Sequence, residues 1–230
     1  MKKILILLLF PVLCIGQGNF FWSHNSGGGY GYLYNRAAAN DGRGIAASGW
    51  GVPSDAEWTT LLNYVGSDNG GKMKMPGYAY WDSPNTGATN TSHFSVRGAG
   101  YRDFNTGNYQ YNGQFVEYLT NYTGALNHRI VLGYNNDTAT LSSWFNKEGM
   151  SIRLIKSSTT LSDGEQGTYT GNDGKIYPTI CIGTQEWLAK NLAETKYANG
   201  DLIPVETDNS AWAALTTGAR CVYNNDEKYK

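Results

Sequence analysis

Gly49-Trp50-Gly51-Val52-Pro53-Ser54-Asp55-Ala56-Glu57-Trp58-Thr59-Thr60-Leu61 is the stretch from which the rest of the chain is read. Pro53 precedes Ser54 and Glu57, which have capping-box spacing, so each side chain satisfies an orphan N–H at a helix start. Trp58, Leu61, Leu62 and Val65 follow at i, i+3, i+4 and i+7 and form one apolar face. Gly66 supplies a left-handed stop. The spacing predicts a helix from Ser54 to Gly66 with its apolar face in the core. Asp55 and Glu57 are explained by the favourable field at the helix start.

Outward from this helix the chain is dense in turn signals. Asn19-Phe20-Phe21-Trp22 reads as an aromatic strand, followed by a flexible Ser26-Gly27-Gly28-Gly29 turn. Arg129 to Leu132, Met150 to Ile155 and Thr179 to Ile182 are short strand candidates. A shorter helix is predicted through Asp208 to Leu215, stopped at Gly218. A third is predicted from Gln185 to Leu192, with Trp187, Leu188 and Leu192 inward. The mixture predicts an α+β fold with much irregular loop. Residues 157–167 are small and polar and read as a linker. They separate a piece at 17–156 from a second at 168–230.

Composition narrows the class. The 230 residues carry 18 Lys and Arg against 19 Asp and Glu, a net charge of −1, with 16% charged residues. That is too neutral for a nucleic-acid binder that works by neutralising phosphates. Aromatics at 13% argue against disorder. The 29 Gly follow no three-residue period, so the chain is not collagen-like. Abundant Tyr, Trp, Asn and Gly suit an extracellular, loop-rich protein. Residues 1–16 begin with two lysines and continue in an apolar run too short for a bilayer, which needs about 20 residues. They read as a secretory signal peptide cut near Gly16, leaving no membrane span. An uncleaved anchor, or acylation of Cys14, is the alternative. Cys181 and Cys221 then remain, as one disulfide or as two buried thiols.

The Gly49 to Leu61 run resembles the Fibrobacter succinogenes major paralogous domain family. Tyr32-Leu33-Tyr34-Asn35, Gly70-Gly71-Lys72-Met73-Lys74, Ser83 to Asn90, Gly98-Ala99-Gly100-Tyr101-Arg102 and the closing strand Gly149 to Ile155 are also similar to it. Together they cover most of 31–156 in the family's order. The resemblance implies a secreted protein of Bacteroidota type with a C-type-lectin-like fold. The second piece resembles the same domain's beginning, through Asp173-Gly174-Lys175-Ile176-Tyr177, Ile182 to Leu192, Thr195-Lys196-Tyr197 and Asp208 to Asp226. Against the family the order is reversed. Three arrangements follow: a circular permutation, completion of a neighbouring chain by head-to-tail exchange, or a shortened second copy. The chain also departs from the family. Ala46 and Leu154 stand where it usually has cysteines, Gly51 stands where a His often follows the Trp, and its Trp-Trp-Ser-Ser-like segment is missing around Asn112 to Phe115.

No motif in the sequence carries catalytic chemistry. His24, His93 and His128 have no zinc-type spacing, and the Gly27 to Gly29 run lacks the Lys and helix of a phosphate loop. The related formylglycine-generating enzymes need active-site cysteines, and residues 17–156 contain none. The sequence therefore predicts no enzyme and no resident cofactor. Calcium, which C-type-lectin-like folds often use, has oxygen-rich candidates at Asn135 to Asp137 and Asn224 to Asp226, without a full calcium-loop pattern. The candidate ligand surface is the Tyr, Asn and Gly-rich stretch 101–146, because rigid aromatics offer contact area at low entropy cost. Its candidates are Tyr101, Arg102, Tyr109, Tyr111, Tyr118, Tyr122 and Tyr134. Tyr109 and Tyr111 are expected to be exposed, Phe115 and Trp144 to be core. The expected function is a secreted, non-enzymatic binding or adhesion module whose partner is a glycan or a surface protein. The alternative is a structural subunit of an extracellular or virion surface assembly, a homo-oligomer joined through 168–230.

Overall fold

A computed structural model describes residues 29–122, 124, 127–144 and 148–230. The signal segment, the aromatic strand at 19–22 and His24 lie outside the described residues, as does the side chain of Trp144. Among the described residues no helix is long and apolar enough to cross a membrane.

The chain begins with strand β1 (Leu33–Tyr34) and helix α1 (Arg36–Ala39), whose N-cap Asn35 accepts the Ala38 N–H. Strand β2 (Trp50–Gly51) leads into α2 (Asp55–Val65). The capping box forms as the sequence predicts, with Ser54 Oγ accepting from Glu57 N at 3.2 Å and Glu57 Oε2 accepting from Ser54 N at 2.7 Å. Helix α3 (Asn69–Met73) follows, then β3 (Tyr101–Arg102), β4 (Tyr109–Gln110), β5 (Phe115–Leu119), β6 (Asn127–Gly133), β7 (Thr140–Trp144) and β8 (Ile155–Lys156). Residues beyond 165 supply β9 (Gln166–Thr170), β10 (Ile176–Ile182), β11 (Gln185–Leu188), α4 (Asn209–Ala214) and β12 (Arg220–Cys221). Short strands, few helices and long loops make this an α+β fold.

The two pieces share their sheets. β1 pairs with β12, and a five-stranded sheet runs in the order β2-β8-β11-β10-β9. Its two faces carry different cores, because strand side chains alternate. Trp187, Ile180 and Ile182 pack on one face with Trp58, Leu61, Phe94 and Ile130. Leu188, Tyr177 and Tyr169 pack on the other with Tyr34, Ile152 and Leu154. Arg153, fully buried, joins the pieces by donating to the carbonyls of Phe94, Ser95 and Leu188 and to Asn191 Oδ1, at 2.6–2.9 Å. Gly29 N–H donates to the Lys230 carbonyl, and the Tyr30 and Tyr229 rings lie 5.8 Å apart. The two ends of the described chain therefore adjoin.

Two expectations are corrected, and one open alternative is resolved. Residues 185–192 do not form a helix. Ile182 pairs with Gln185 across a two-residue Gly183-Thr184 turn, and Gly183 takes φ +63°. Trp187 and Leu188 are both inward, but on opposite faces of a sheet. Residues 157–167 are not a free linker. Ser157 N bonds Gly49 O, Thr159 Oγ1 bonds Glu186, Asp163 accepts from Gly183 N and the Tyr64 hydroxyl, and β9 has begun by Gln166. Of the two states left open for Cys181 and Cys221, the structure has the unpaired thiols. Both are buried free thiols, one in β10 of the five-stranded sheet and one in β12 of the two-stranded sheet.

Candidate functional site

The site begins with a hairpin. β3 and β4 pair Tyr101 with Gln110 and Arg102 with Tyr109. Asp103 closes their turn by accepting from Asn105 N, Thr106 N and Thr106 Oγ1. The chain then reverses at Tyr111, whose backbone is left-handed at φ +57°, with Gly113 at φ +80°. The Tyr111 carbonyl accepts from both Gln114 N and Phe115 N, and Gly113 N is tied to Gly98 O. A bulky aromatic in this region is strained by about 1–3 kcal/mol relative to glycine. The surrounding hydrogen bonds hold it there.

The reversal lines up a row of rings. Tyr101 lies 5.8 Å from Tyr111, Tyr111 lies edge-on to Phe115 at 5.6 Å, and Phe115 lies edge-on to Tyr134 at 6.4 Å. Tyr111 is 47% exposed, and the other three are half-buried. Gly133 opposite allows this, since a Cβ there would sit 3.1 Å from the Phe115 ring. Burial, reinforced by the fields of Glu117 and Glu148, pushes the Tyr101 phenol up to about 12, so its hydroxyl keeps its proton. The row offers ring faces interleaved with hydroxyls.

The other candidates are placed elsewhere. Arg102 is fully buried and is not a ligand-facing cation. It donates to Gly107 O of its own hairpin and clasps the second piece through Glu206 O, Thr207 O, Asp208 O and Asn209 Oδ1, between the rings of Tyr109 and Trp212. Tyr109 is half-buried rather than exposed. Its ring packs on Tyr223 at 5.3 Å and its hydroxyl donates to Asn225 Oδ1 at 2.6 Å. Tyr118 is core, against Trp58, with its hydroxyl on Asn191. Tyr122, 37% exposed, lies beyond the opposite end of β5 and stacks on His128 at 3.7 Å. His128 Nδ1 bonds Asp55 at the start of α2, a pairing the sequence reading did not foresee because 73 residues separate them. Phe115 was expected as core and instead joins the row. The signal available was its place beside the Asn112-Gly113 turn.

The sequence pattern of the Fibrobacter succinogenes major domain matches residues 20–156, more than half of the chain. The chain belongs to the Fibrobacter succinogenes major domain family. No curated protein and no solved structure matches it. All four rings of the row fall inside the matched major domain, whereas α4 and β12 fall outside. Among the described residues no three His, Cys, Asp or Glu side chains gather as a metal cluster. The Asn136 carbonyl, one of the calcium candidates, accepts from the Lys74 ammonium.

Proposed function

We propose that this member of the major domain family is a non-enzymatic binding module of the extracellular surface. It recognises a glycan or a surface protein through Tyr101, Tyr111, Phe115 and Tyr134, on a scaffold of C-type-lectin-like type. The observation that carries this reading is Tyr111, a half-exposed ring held on a left-handed backbone. Strain of that kind is retained where the presented side chain has a use. Aromatic faces stack on the apolar faces of sugar rings and serve equally as protein-binding anchors. The test is retention of Tyr111→Ala and Tyr134→Ala on a glycan array and on immobilised surface-protein extract. Both variants are expected to lose retention while their melting temperature holds. Undiminished retention, or none by the wild-type chain on either support, refutes the reading.

A second reading, a structural subunit, is favoured by the sharing of sheets. β10 and β11 are buried against 29–156, and the same surfaces suit a neighbouring copy. Light scattering of the full chain decides between them. A concentration-independent monomer supports self-completion, and a ladder or ring supports exchange.

A further inference from the structure

The ring row sits in a field of one sign. The groups whose fields reach the Tyr101 hydroxyl are Glu117, Glu148, Tyr111 and Asp103, and all of them favour its protonated form. Glu117 and Glu148 are buried, and buried charges are screened by salt less than exposed ones. Asp103 is half-buried. Asp82 is exposed and packs on the turn that carries Tyr111. Its N–H donates to the Gly113 carbonyl at 2.8 Å, and a Cβ at Gly113 would fall 2.7 Å from its Oδ1.

The cations of this region are engaged inside the protein. Arg102 and Lys74 are fully buried. Arg102 is held by the carbonyls of residues 206–208, and the Lys74 ammonium by those of Gly133 and Asn136. Arg97 donates to Gly29 O and lies over the Tyr80 ring. Arg129 donates to Glu117 at 2.5 Å and lies 3.8 Å from Glu148, so one guanidinium serves two carboxylates.

Aromatic faces are themselves negative. Rings and carboxylates therefore select the same sign of ligand, a cation. A neutral sugar answers the ring faces and leaves the field unanswered. Spacing points to a chain of cations rather than one. Successive rings of the row lie 5.6–6.4 Å apart, close to the ~6.6 Å between alternate side chains of an extended strand.

We propose that the ring row binds an extended basic segment of a surface protein, with alternate Lys or Arg side chains laid over Tyr101, Tyr111 and Phe115 and their charge answered by Asp82 and Asp103. The inference rests on the binding-module reading and deepens it, naming a cationic partner for the same site.

The probes are the peptide acetyl-Lys-Thr-Lys-Thr-Lys-amide, its Gln-Thr-Gln-Thr-Gln counterpart, and the fully deacetylated glucosamine trimer. Each is titrated against the full chain by calorimetry. The Lys peptide is expected to bind with a Kd near ~0.1 mM, about tenfold or more tighter than the Gln peptide. Asp82→Asn should weaken it about threefold, and raising salt from about 50 to about 500 mM should do so with the wild-type chain. No binding of the Lys peptide, equal binding of the two peptides, or an affinity indifferent to both Asp82→Asn and salt overturns the proposal. Binding of the glucosamine trimer alone also overturns it, by making the cation a sugar amine. Tyr111→Ala separates this inference from the reading beneath it. A neutral ligand that is bound and then lost in that variant keeps the ring row and removes only its cation preference. Lys-peptide affinity unchanged in folded Tyr111→Ala removes the row itself.

Discussion

Trp187→Ala tests whether the two pieces form one cooperative core. Trp187 lies in β11, is fully buried, and contacts Trp58 at 4.8 Å and Phe94 at 5.7 Å across the boundary between the pieces. Truncating a buried Trp removes its transfer energy and leaves a cavity, at about 3–5 kcal/mol. For a chain of this size that lowers the melting temperature by about 10 °C. Because the partners lie in α2 and before β3, the loss must spread into 29–156. Amide exchange at Ile130, buried in β6, reports on that piece, and near-UV circular dichroism reports on the whole. A single transition, moved down in both signals, is expected. Trp187→Phe should cost far less, about 1 kcal/mol, since it also deletes an indole N–H that is buried without a partner. If Trp187→Ala leaves Ile130 protection and its transition unmoved, the shared-core argument is wrong.

Other outcomes follow from the same structure. Burial pushes the Glu117 and Glu194 carboxyls each up to about 7. The folded state then holds protons the unfolded chain has lost above its ordinary carboxylate range, so their stabilisation is complete below about 4.5 and fades as pH rises through 7. The melting temperature should fall by about 10 °C or more between pH 5 and 8, and the Glu117→Gln, Glu194→Gln double variant should flatten that slope; stability rising across the window would contradict it. Cys181 and Cys221 should react with a thiol reagent only on unfolding, because burial raises both thiols; a mass change on reduction would show a disulfide instead. Joining Lys230 to Gly29 by a short Gly linker and opening the chain between the exposed Ser157 and Ser158 should give a folded protein with the same near-UV spectrum; an unfolded product would count against the adjoining ends.

Local chemistry was legible where it was sufficient by itself. Ser54 and Glu57 satisfy each other's helix-start donors, and Trp58 and Leu61 bury the face their spacing predicts. Asp208 caps α4 by accepting from Ala211 N. The reading failed where distant pairing decides. Trp187, Leu188 and Leu192 suit a helix as well as a strand, and the Gly183-Thr184 turn against Thr179 to Ile182 settles it. Arg102 resembled a surface cation until the carbonyls of residues 206–208 surrounded it. Tyr109, Tyr111, Tyr118 and Tyr122 have one composition and four environments, because a brace to Asn225, a left-handed turn, the Asn191 amide and His128 place them separately.

The most direct test of the binding-module account is retention of labelled wild-type chain and Tyr111→Ala, side by side, on the glycan array and the surface-protein extract. The account predicts defined retention by the wild type, lost in the variant at unchanged melting temperature. Equal retention by the two proteins would contradict it.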